Sequence, residues 1–164
     1  MISYVIRAHD GKIDTKKFNC GHLALNDYIR RYAAQDVKRD LTRVFVATPE
    51  DDINHLAGFF TLSAGSIKCS DLPETVAQKL PRYPIPVALI GRLAVDEVFQ
   101  GKGLGSILLA EACLKVKQAS DSLAVVGIVV DAKDDSAAAF YRHFGFIALP
   151  GKSDRLVLPN AAYF

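Results

Sequence analysis

Leu93-Ala94-Val95-Asp96-Glu97-Val98-Phe99-Gln100-Gly101-Lys102-Gly103-Leu104-Gly105 is an apolar run that enters a glycine-rich turn, with an apolar helical pattern directly after it. Glycine at 101, 103 and 105 strips the turn of side chains. Backbone N–H groups can then converge on one point at a helix N-terminus. There they hold a phosphate or diphosphate together with the helix dipole. The stretch predicts a binding turn for a phosphate-bearing cofactor, set between a central strand and its crossover helix.

Working outward, residues 87–95 read as one nearly all-apolar strand and 105–119 as a helix carrying Ile107, Leu108 and Leu114. A valine-rich run over 123–130 reads as a strand covered on both faces. A short helix capped by Asp135 or Ser136 then runs to Phe144, and Gly145 ends it in the left-handed C′ position. Strands over 146–149 and 155–158 close the chain. Upstream, 4–8 reads as a strand. Leu25, Tyr28, Ile29 and Tyr32 place one apolar stripe on a helix over 22–35. Strands over 43–47 and 56–69 flank the polar turn Pro49-Glu50-Asp51-Asp52, a helix is expected over 71–80, and Pro81, Pro84 and Pro86 form a stiff connector. The order is mixed α/β, without repeats or a linker, so residues 1–164 read as a single domain.

Composition narrows the classes. At 164 residues, half of them hydrophobic, the chain can bury a full core without disulfide support. A net charge of +2 does not by itself imply nucleic-acid binding. Cys20, Cys69 and Cys113 form no C-x-x-C pair, so zinc and redox motifs are unsupported and no metal is expected. No run reaches the ~20 apolar residues of a membrane span. The first residues lack a signal-peptide pattern. The expectation is a cytoplasmic protein with no membrane partner.

The turn is neither of the common nucleotide loops. A Walker loop needs Ser or Thr after its lysine, and Lys102 is followed by Gly103. A dinucleotide turn needs G-x-G-x-x-G, and Gly101–Gly105 gives G-x-G-x-G. The string fits Q/R-x-x-G-x-G/A at Gln100, Gly103 and Gly105. Here the chain resembles the GNAT superfamily of N-acetyltransferases, which bind acetyl-coenzyme A. Ala138-Ala139-Phe140-Tyr141-Arg142-His143-Phe144-Gly145-Phe146 resembles that superfamily's A-x-x-x-Y-x-x-x-G-F segment. Within it, the chain looks closest to bacterial toxins that acetylate the free amine of aminoacyl-tRNA. Phe18-Asn19-Cys20-Gly21 with Leu25–Arg31, Ile90–Asp96, and Phe140–Phe146 carry that likeness. The resemblance implies an α/β GNAT acetyltransferase fold, with a central mixed, mostly antiparallel sheet and helices on both faces. Asp134 stands where many GNAT enzymes have Asn, which puts one hydrogen bond to the cofactor arm in doubt.

The resemblance also assigns roles. The diphosphate of acetyl-CoA is expected on the turn of Gln100, Gly101, Lys102, Gly103, Leu104, Gly105 and Ser106. The pantetheine arm pairs with the strand of Leu93, Ala94 and Val95, where an N–H can also face the thioester oxygen, and Phe140 is counted among the cofactor contacts. Tyr141 is the candidate general acid, since a phenol with pKa ~10 is protonated at neutral pH. As residues alone, Tyr141 also reads as an aromatic packing beside Phe140 and Phe144. No side chain stands out as a general base: Asp96, Glu97 and His143 read as solvated or structural. An α-amino group with pKa ~7.7–8.0 needs little help to be neutral, which favours an α-amine acceptor.

Arg30, Arg31, Lys38, Arg39, Arg92 and Arg142 are the candidate tRNA contacts. Read without the resemblance, they are an ordinary solvated face. The implied function is a toxin that acetylates aminoacyl-tRNA and inhibits translation. Its implied partners are a ribbon-helix-helix antitoxin, operator DNA reached only through that antitoxin, and a second copy in a homodimer. The alternatives are a GNAT enzyme acting on a protein N-terminus or a small-molecule amine, and a catalytically silent acyl-CoA-binding module.

Overall fold

The computed structural model describes residues 2–78 and 80–160. In chain order the elements are β1 (Tyr4–Ala8), α1 (Leu23–Asp27), a π-helical turn (Tyr28–Tyr32), α2 (Ala33–Lys38), β2 (Arg43–Pro49), β3 (Gly58–Ile67), α3 (Glu74–Ala77), β4 (Ile85–Ile90), β5 (Leu93–Val95), α4 (Leu104–Ala119), β6 (Gly127–Asp131), α5 (Asp135–His143), β7 (Ile147–Leu149) and β8 (Lys152–Pro159). This is the mixed α/β order expected; among the described residues the strand pairing is mostly antiparallel, and β4 pairs parallel with β6. The chain divides into two compact units. One comprises the residues up to Ser63 with Arg92–Ala112, and the other Ala64–Gly91 with the chain from Cys113 on.

In the first unit β1, β2 and β3 pair antiparallel in sequence order, and β5 pairs antiparallel with β3, Phe59 standing opposite Ala94. Its core gathers Phe18, Tyr28, Ile29, Val44, Val46, Leu56 and Phe59. Phe18 meets Phe59 edge-on at 5.5 Å between centroids, and the Tyr28 ring stacks on Phe59 at 6.4 Å. Removing a fully buried ring such as Phe59 would cost about 3–5 kcal/mol. Gly58 is required by close approach: a Cβ there would lie 2.9 Å from the Ala94 carbonyl oxygen and 3.0 Å from Leu108 Cδ1. The missing side chain lets the first turns of α4 lie directly against the β3–β5 pair.

In the second unit β4 pairs parallel with β6, β6 antiparallel with β8, and β8 antiparallel with β7. The strand expected over 123–130 begins only at Gly127, with Leu123 exposed, and within it Val129 and Val130 are wholly buried as the valine-rich run predicts. The core holds Ile67, Leu72, Ile85, Val87, Val129, Leu149 and Val157.

Five further expectations of this kind change. The helix over 22–35 is three pieces, because the π-helical turn inserts an extra residue into the ladder. The strand over 87–95 is two strands broken at Gly91-Arg92, where Thr61 Oγ1 accepts from the Arg92 amide at 3.1 Å and the Thr61 amide donates to the Arg92 carbonyl at 3.0 Å. That pairing pulls Leu93–Val95 onto β3. The 71–80 helix shrinks to a 3₁₀ turn at Cys69–Asp71 and the single turn of α3, with Lys79 outside the described residues. Asp134, not Asp135 or Ser136, caps α5: its Oδ1 accepts from the Ala137 amide at 2.7 Å. In α4, Ile107 and Leu114 are exposed, and Leu104, Leu108, Leu109 and Ala112 form the buried stripe.

Candidate acetyl-donor and acceptor sites

The glycine turn is built almost wholly from backbone. Asp96 is buried, and its Oδ1 accepts from the Val98 amide at 3.0 Å, capping a 3₁₀ turn over Glu97–Phe99. Gln100 follows, then Gly101 at φ +75° and Gly103 at φ +87°. Both lie in the left-handed region that costs any other L-residue but Asn or Asp dearly. A Cβ at either position would meet nothing within 4 Å, so open space faces the turn. The first helical bond of α4 runs from the Ile107 amide to the Gly103 carbonyl, 3.2 Å. The amides of Leu104, Gly105 and Ser106 precede it and have no partner in the helix. They point along the axis at the positive end of the dipole. Open space, outward amides and a 16-residue helix behind them fit a diphosphate.

The strand before the turn offers an edge. The Asp96 amide donates to Ala57 and the Thr61 amide to Arg92 across the β3–β5 pair. In an antiparallel ladder the residues bonded across the pair alternate. Ala94 therefore turns its N–H and C=O to β3, and Leu93 and Val95 turn theirs to the opposite edge. Among the described residues β5 pairs only with β3. Gln100 closes one group on that edge: its Nε2 donates to the Val95 carbonyl at 2.8 Å and to the Cys20 carbonyl at 3.2 Å. The Leu93 N–H and C=O and the Val95 N–H face outward, as an added strand requires.

The expected acceptor residues of the first unit gather along the broken helix. Arg30 and Arg31 sit on the π-helical turn, and Arg30 Nη2 donates to the Phe18 carbonyl. Lys38 ends α2 and Arg39 caps it, both exposed. Arg92 lies over the Tyr28 ring, its guanidinium carbon 3.5 Å from the ring centroid. Tyr28 donates its hydroxyl to Asp36 Oδ2 at 2.9 Å. Burial first, then that carboxylate, pushes the phenol up to about 12. Tyr28 and Asp36 are partners the sequence did not reveal, since Tyr28 carried only the signal of a core position.

In the second unit the end of α5 holds Phe140, Tyr141 and Arg142. Tyr141 is 4% exposed and packs against Phe140 at 5.3 Å and Phe146 at 5.5 Å between centroids. Burial raises its phenol well above the ordinary tyrosine range, and the Asp131 carboxylate adds to this. The ring is thus both a packed aromatic and a firmly protonated donor. The Gly145 amide bonds the Arg142 carbonyl at 2.9 Å and the Phe146 amide bonds the Tyr141 carbonyl at 3.1 Å, with Gly145 at φ +101°. These two bonds close the helix end and fix the tyrosine's backbone. Arg142 is exposed, and Asp96 and Asp134 spend their carboxylates on backbone amides. Among the described residues no cluster of metal-ligating side chains occurs, and no helix is long and apolar enough to cross a membrane.

A family model described as acetyltransferase (GNAT) domain matches residues 40–148. A tRNA-acetylating toxin of Mycobacterium tuberculosis is 39% identical over 88% of this chain and 85% of its own. The structure of AtaT complexed with acetyl-methionyl-tRNAfMet superposes with a TM-score of 0.90 at 28% identity, covering 98% of this chain and 96% of that one. A tyrosine-to-phenylalanine mutant of AtaT, bound to the C-terminus of the antitoxin AtaR and acetyl-CoA, matches with a TM-score of 0.83 at 26% identity, covering 98% and 96%.

Proposed function

Since the chain belongs to the GNAT acetyltransferase family, we propose that it transfers the acetyl group of acetyl-CoA to the α-amino group of aminoacyl-tRNA, acting as the toxin of a toxin–antitoxin pair. The observation that carries this reading is the 39% identity with a tRNA-acetylating toxin along nearly the whole chain. An acetylated α-amine cannot attack in peptide-bond formation, so translation stops at the modified tRNA. Residues 1–164 act as one acetyltransferase domain in this reading, supported by a family match that draws on both compact units.

Acetyl-CoA, when bound, supplies an activated thioester. The chain does the rest. The amides of Gly101–Ser106 hold the diphosphate, with Gln100 bracing the turn from behind. Leu93 and Val95 take the pantetheine arm along the outward edge of β5, and an amide there faces the thioester oxygen as charge builds on it. Ala94 anchors that strand to β3. Phe140 packs against the cofactor and holds the neighbouring ring. Tyr141 gives its proton to the departing sulfur, and its raised pKa keeps that proton in place at neutral pH. No side chain needs to strip the amine first: about a tenth of an α-amine with pKa ~7.7–8.0 is neutral at pH 7, and the adjacent ester raises that share. The proton the amine sheds on becoming an amide passes to solvent, which returns one to the Tyr141 phenolate.

Arg30, Arg31, Lys38, Arg39, Arg92 and Arg142 bind RNA phosphates. The partners are charged tRNA, a ribbon-helix-helix antitoxin that alone contacts operator DNA, and a second copy of the chain, all in the cytoplasm. The antitoxin-bound AtaT structure supports the antitoxin as a class of partner. The test offers labelled acetyl-CoA with charged tRNA, polyamines and peptides in separate reactions. Label should enter charged tRNA. Label entering peptides or polyamines alone would replace this reading with a protein or small-amine acetyltransferase, and label entering none would leave an acyl-CoA-binding module.

A further inference from the structure

The segment Phe18–Gly21 supplies none of the residues assigned to the donor or the acceptor, yet a dense set of bonds leaves it toward both. Toward the glycine turn, the Asn19 amide donates to Asp96 Oδ2 at 3.0 Å, and the Asn19 carbonyl accepts from the Glu97 amide at 2.9 Å. The Cys20 carbonyl accepts from Gln100 Nε2 at 3.2 Å. Gly21 stands at φ +91°, in the left-handed region that favours glycine, with Glu97 Oε1 3.1 Å from where a Cβ would be. Toward the arginine-bearing helix, Arg30 grips the Phe18 carbonyl.

Asn26 on α1 locks this strap from within. It is 3% exposed, a buried polar side chain in an apolar neighbourhood. Its Oδ1 accepts from the Cys20 amide at 2.9 Å, and its Nδ2 donates to Asn19 Oδ1 at 3.0 Å. Asn19 Oδ1 also accepts from the Gly21 amide at 3.0 Å. A buried amide with both ends satisfied fixes one arrangement, because any shift leaves a buried polar group unpaired. Just after Asn26 the π-helical turn begins, carrying Arg30, Arg31 and the Tyr28 ring that supports Arg92. Directly after Asp96 the 3₁₀ turn leads into Gln100 and the glycines.

We propose that Asn26, acting through Asn19 and Cys20, is a positioning residue that ties the coenzyme A turn to the arginine-bearing turn, so that cofactor and charged RNA bind cooperatively. The inference rests on the acceptor reading above. The strap moves as one body because Asn26 holds it together, so a ligand that draws one turn toward its bound arrangement draws the other with it, and the second ligand meets a turn already placed. The Asn26 carboxamide itself touches neither ligand.

The experiment measures dissociation constants for coenzyme A, which carries no acetyl group to transfer, with and without saturating aminoacyl-tRNA. The reverse titration is run alongside. In the wild type each ligand should tighten the other by the same factor, about tenfold, within the usual range for coupled sites. Asn26→Asp keeps an acceptor for Cys20 and removes the donor to Asn19. It should bring the factor to about one and shift each separate affinity far less. Asn19→Ala, at an exposed position, tests the same link in a protein that keeps its buried carboxamide. Equal melting temperatures for Asn19→Ala and wild type, with the coupling abolished, would separate positioning from simple destabilisation. If both ligands bind the wild type independently, or the coupling survives both substitutions, the proposal falls and the acceptor reading stands. If charged tRNA does not bind the wild type, the acceptor reading fails and takes the proposal with it.

Discussion

Two helices in this chain meet a glycine at one end and use it in opposite ways. Gly103, before α4, stands at φ +87° with nothing within 4 Å of where a Cβ would be. The amides beyond it are left without partners in the helix. Gly145, after α5, stands at φ +101° with Leu158 Cδ1 3.7 Å from the same point. There the chain consumes its own polar groups, bonding Gly145 and Phe146 back to Arg142 and Tyr141. One helix end leaves its first amides without partners in the helix; the other spends its polar groups to hold a side chain still. The proposed donor machinery thus splits into a part made of backbone and a part made of one buried phenol. Substitutions should act on binding in the first and on turnover in the second.

The largest effect tests the phenol. Tyr141→Phe keeps the packing against Phe140 and Phe146 and removes the proton, so turnover should fall about 10²–10⁴-fold. Coenzyme A affinity, measured by calorimetry, should be unchanged. Turnover close to wild type would remove Tyr141 from the mechanism. The raised pKa adds a sign that can be checked. Burial, then Asp131, favours the neutral phenol, so kcat should show no falling limb from this group below about pH 10. Stability linked to it is whole below the unfolded value near 10 and is lost as pH rises above that. Alkaline unfolding should therefore begin at lower pH in the wild type than in Tyr141→Phe.

The next effect tests the backbone part. Gly103→Asp sets a carboxylate where the diphosphate would bind, on a left-handed residue that Asp tolerates better than most. Gly103→Ala carries the backbone strain without the charge, about 1–3 kcal/mol in the fold. Coenzyme A binding should weaken further in the aspartate variant than in the alanine one. Wild-type affinity in the aspartate variant would refute the turn's role.

These two regions were unequally legible. Glycine at a positive φ leaves a plain trace in sequence, so the turn stood out at once. A tyrosine between two phenylalanines looks like packing, and only the resemblance distinguished Tyr141. The break between β4 and β5 had no trace, because the apolar run continues through Leu93 and the hydroxyl that holds the break belongs to Thr61, 31 residues away. The π-helical turn was hidden for a similar reason. Leu25, Tyr28, Ile29 and Tyr32 fit an α-helical stripe, yet the inserted residue puts Ala33 in the core and leaves Tyr32 52% exposed.

The arginines sharpen the comparison in the proposed acceptor region, where one side chain is exposed and another is built into the packing. Arg31 is exposed on the π-helical turn, and Arg31→Ala should weaken tRNA binding alone. The slope of log affinity against log salt should drop by about 0.7–0.9 when one phosphate is no longer neutralised. Arg92 is also stacked on Tyr28, so Arg92→Ala should in addition lower stability by about 0.5–2 kcal/mol. A melting temperature unchanged in Arg92→Ala would mean the ring stacking contributes nothing to folding.

The smallest effect concerns the start of α5, where Asp134 stands in the place of an asparagine. Its carboxylate accepts from the Ala137 amide at 2.7 Å, which accounts for the residue as a helix cap. Asn caps about as well as Asp, so Asp134→Asn should change stability by no more than a few tenths of a kcal/mol. Asp134→Ala should cost about 1 kcal/mol, a drop of roughly 2–4 °C in Tm for a chain of this size. A side chain that also held the cofactor arm would separate the two variants differently. Coenzyme A affinity would then fall in Asp134→Ala beyond what the frayed helix explains, and would change in Asp134→Asn with no loss of stability at all. Equal affinity in wild type and Asp134→Asn would confine the residue to starting the helix that carries Tyr141.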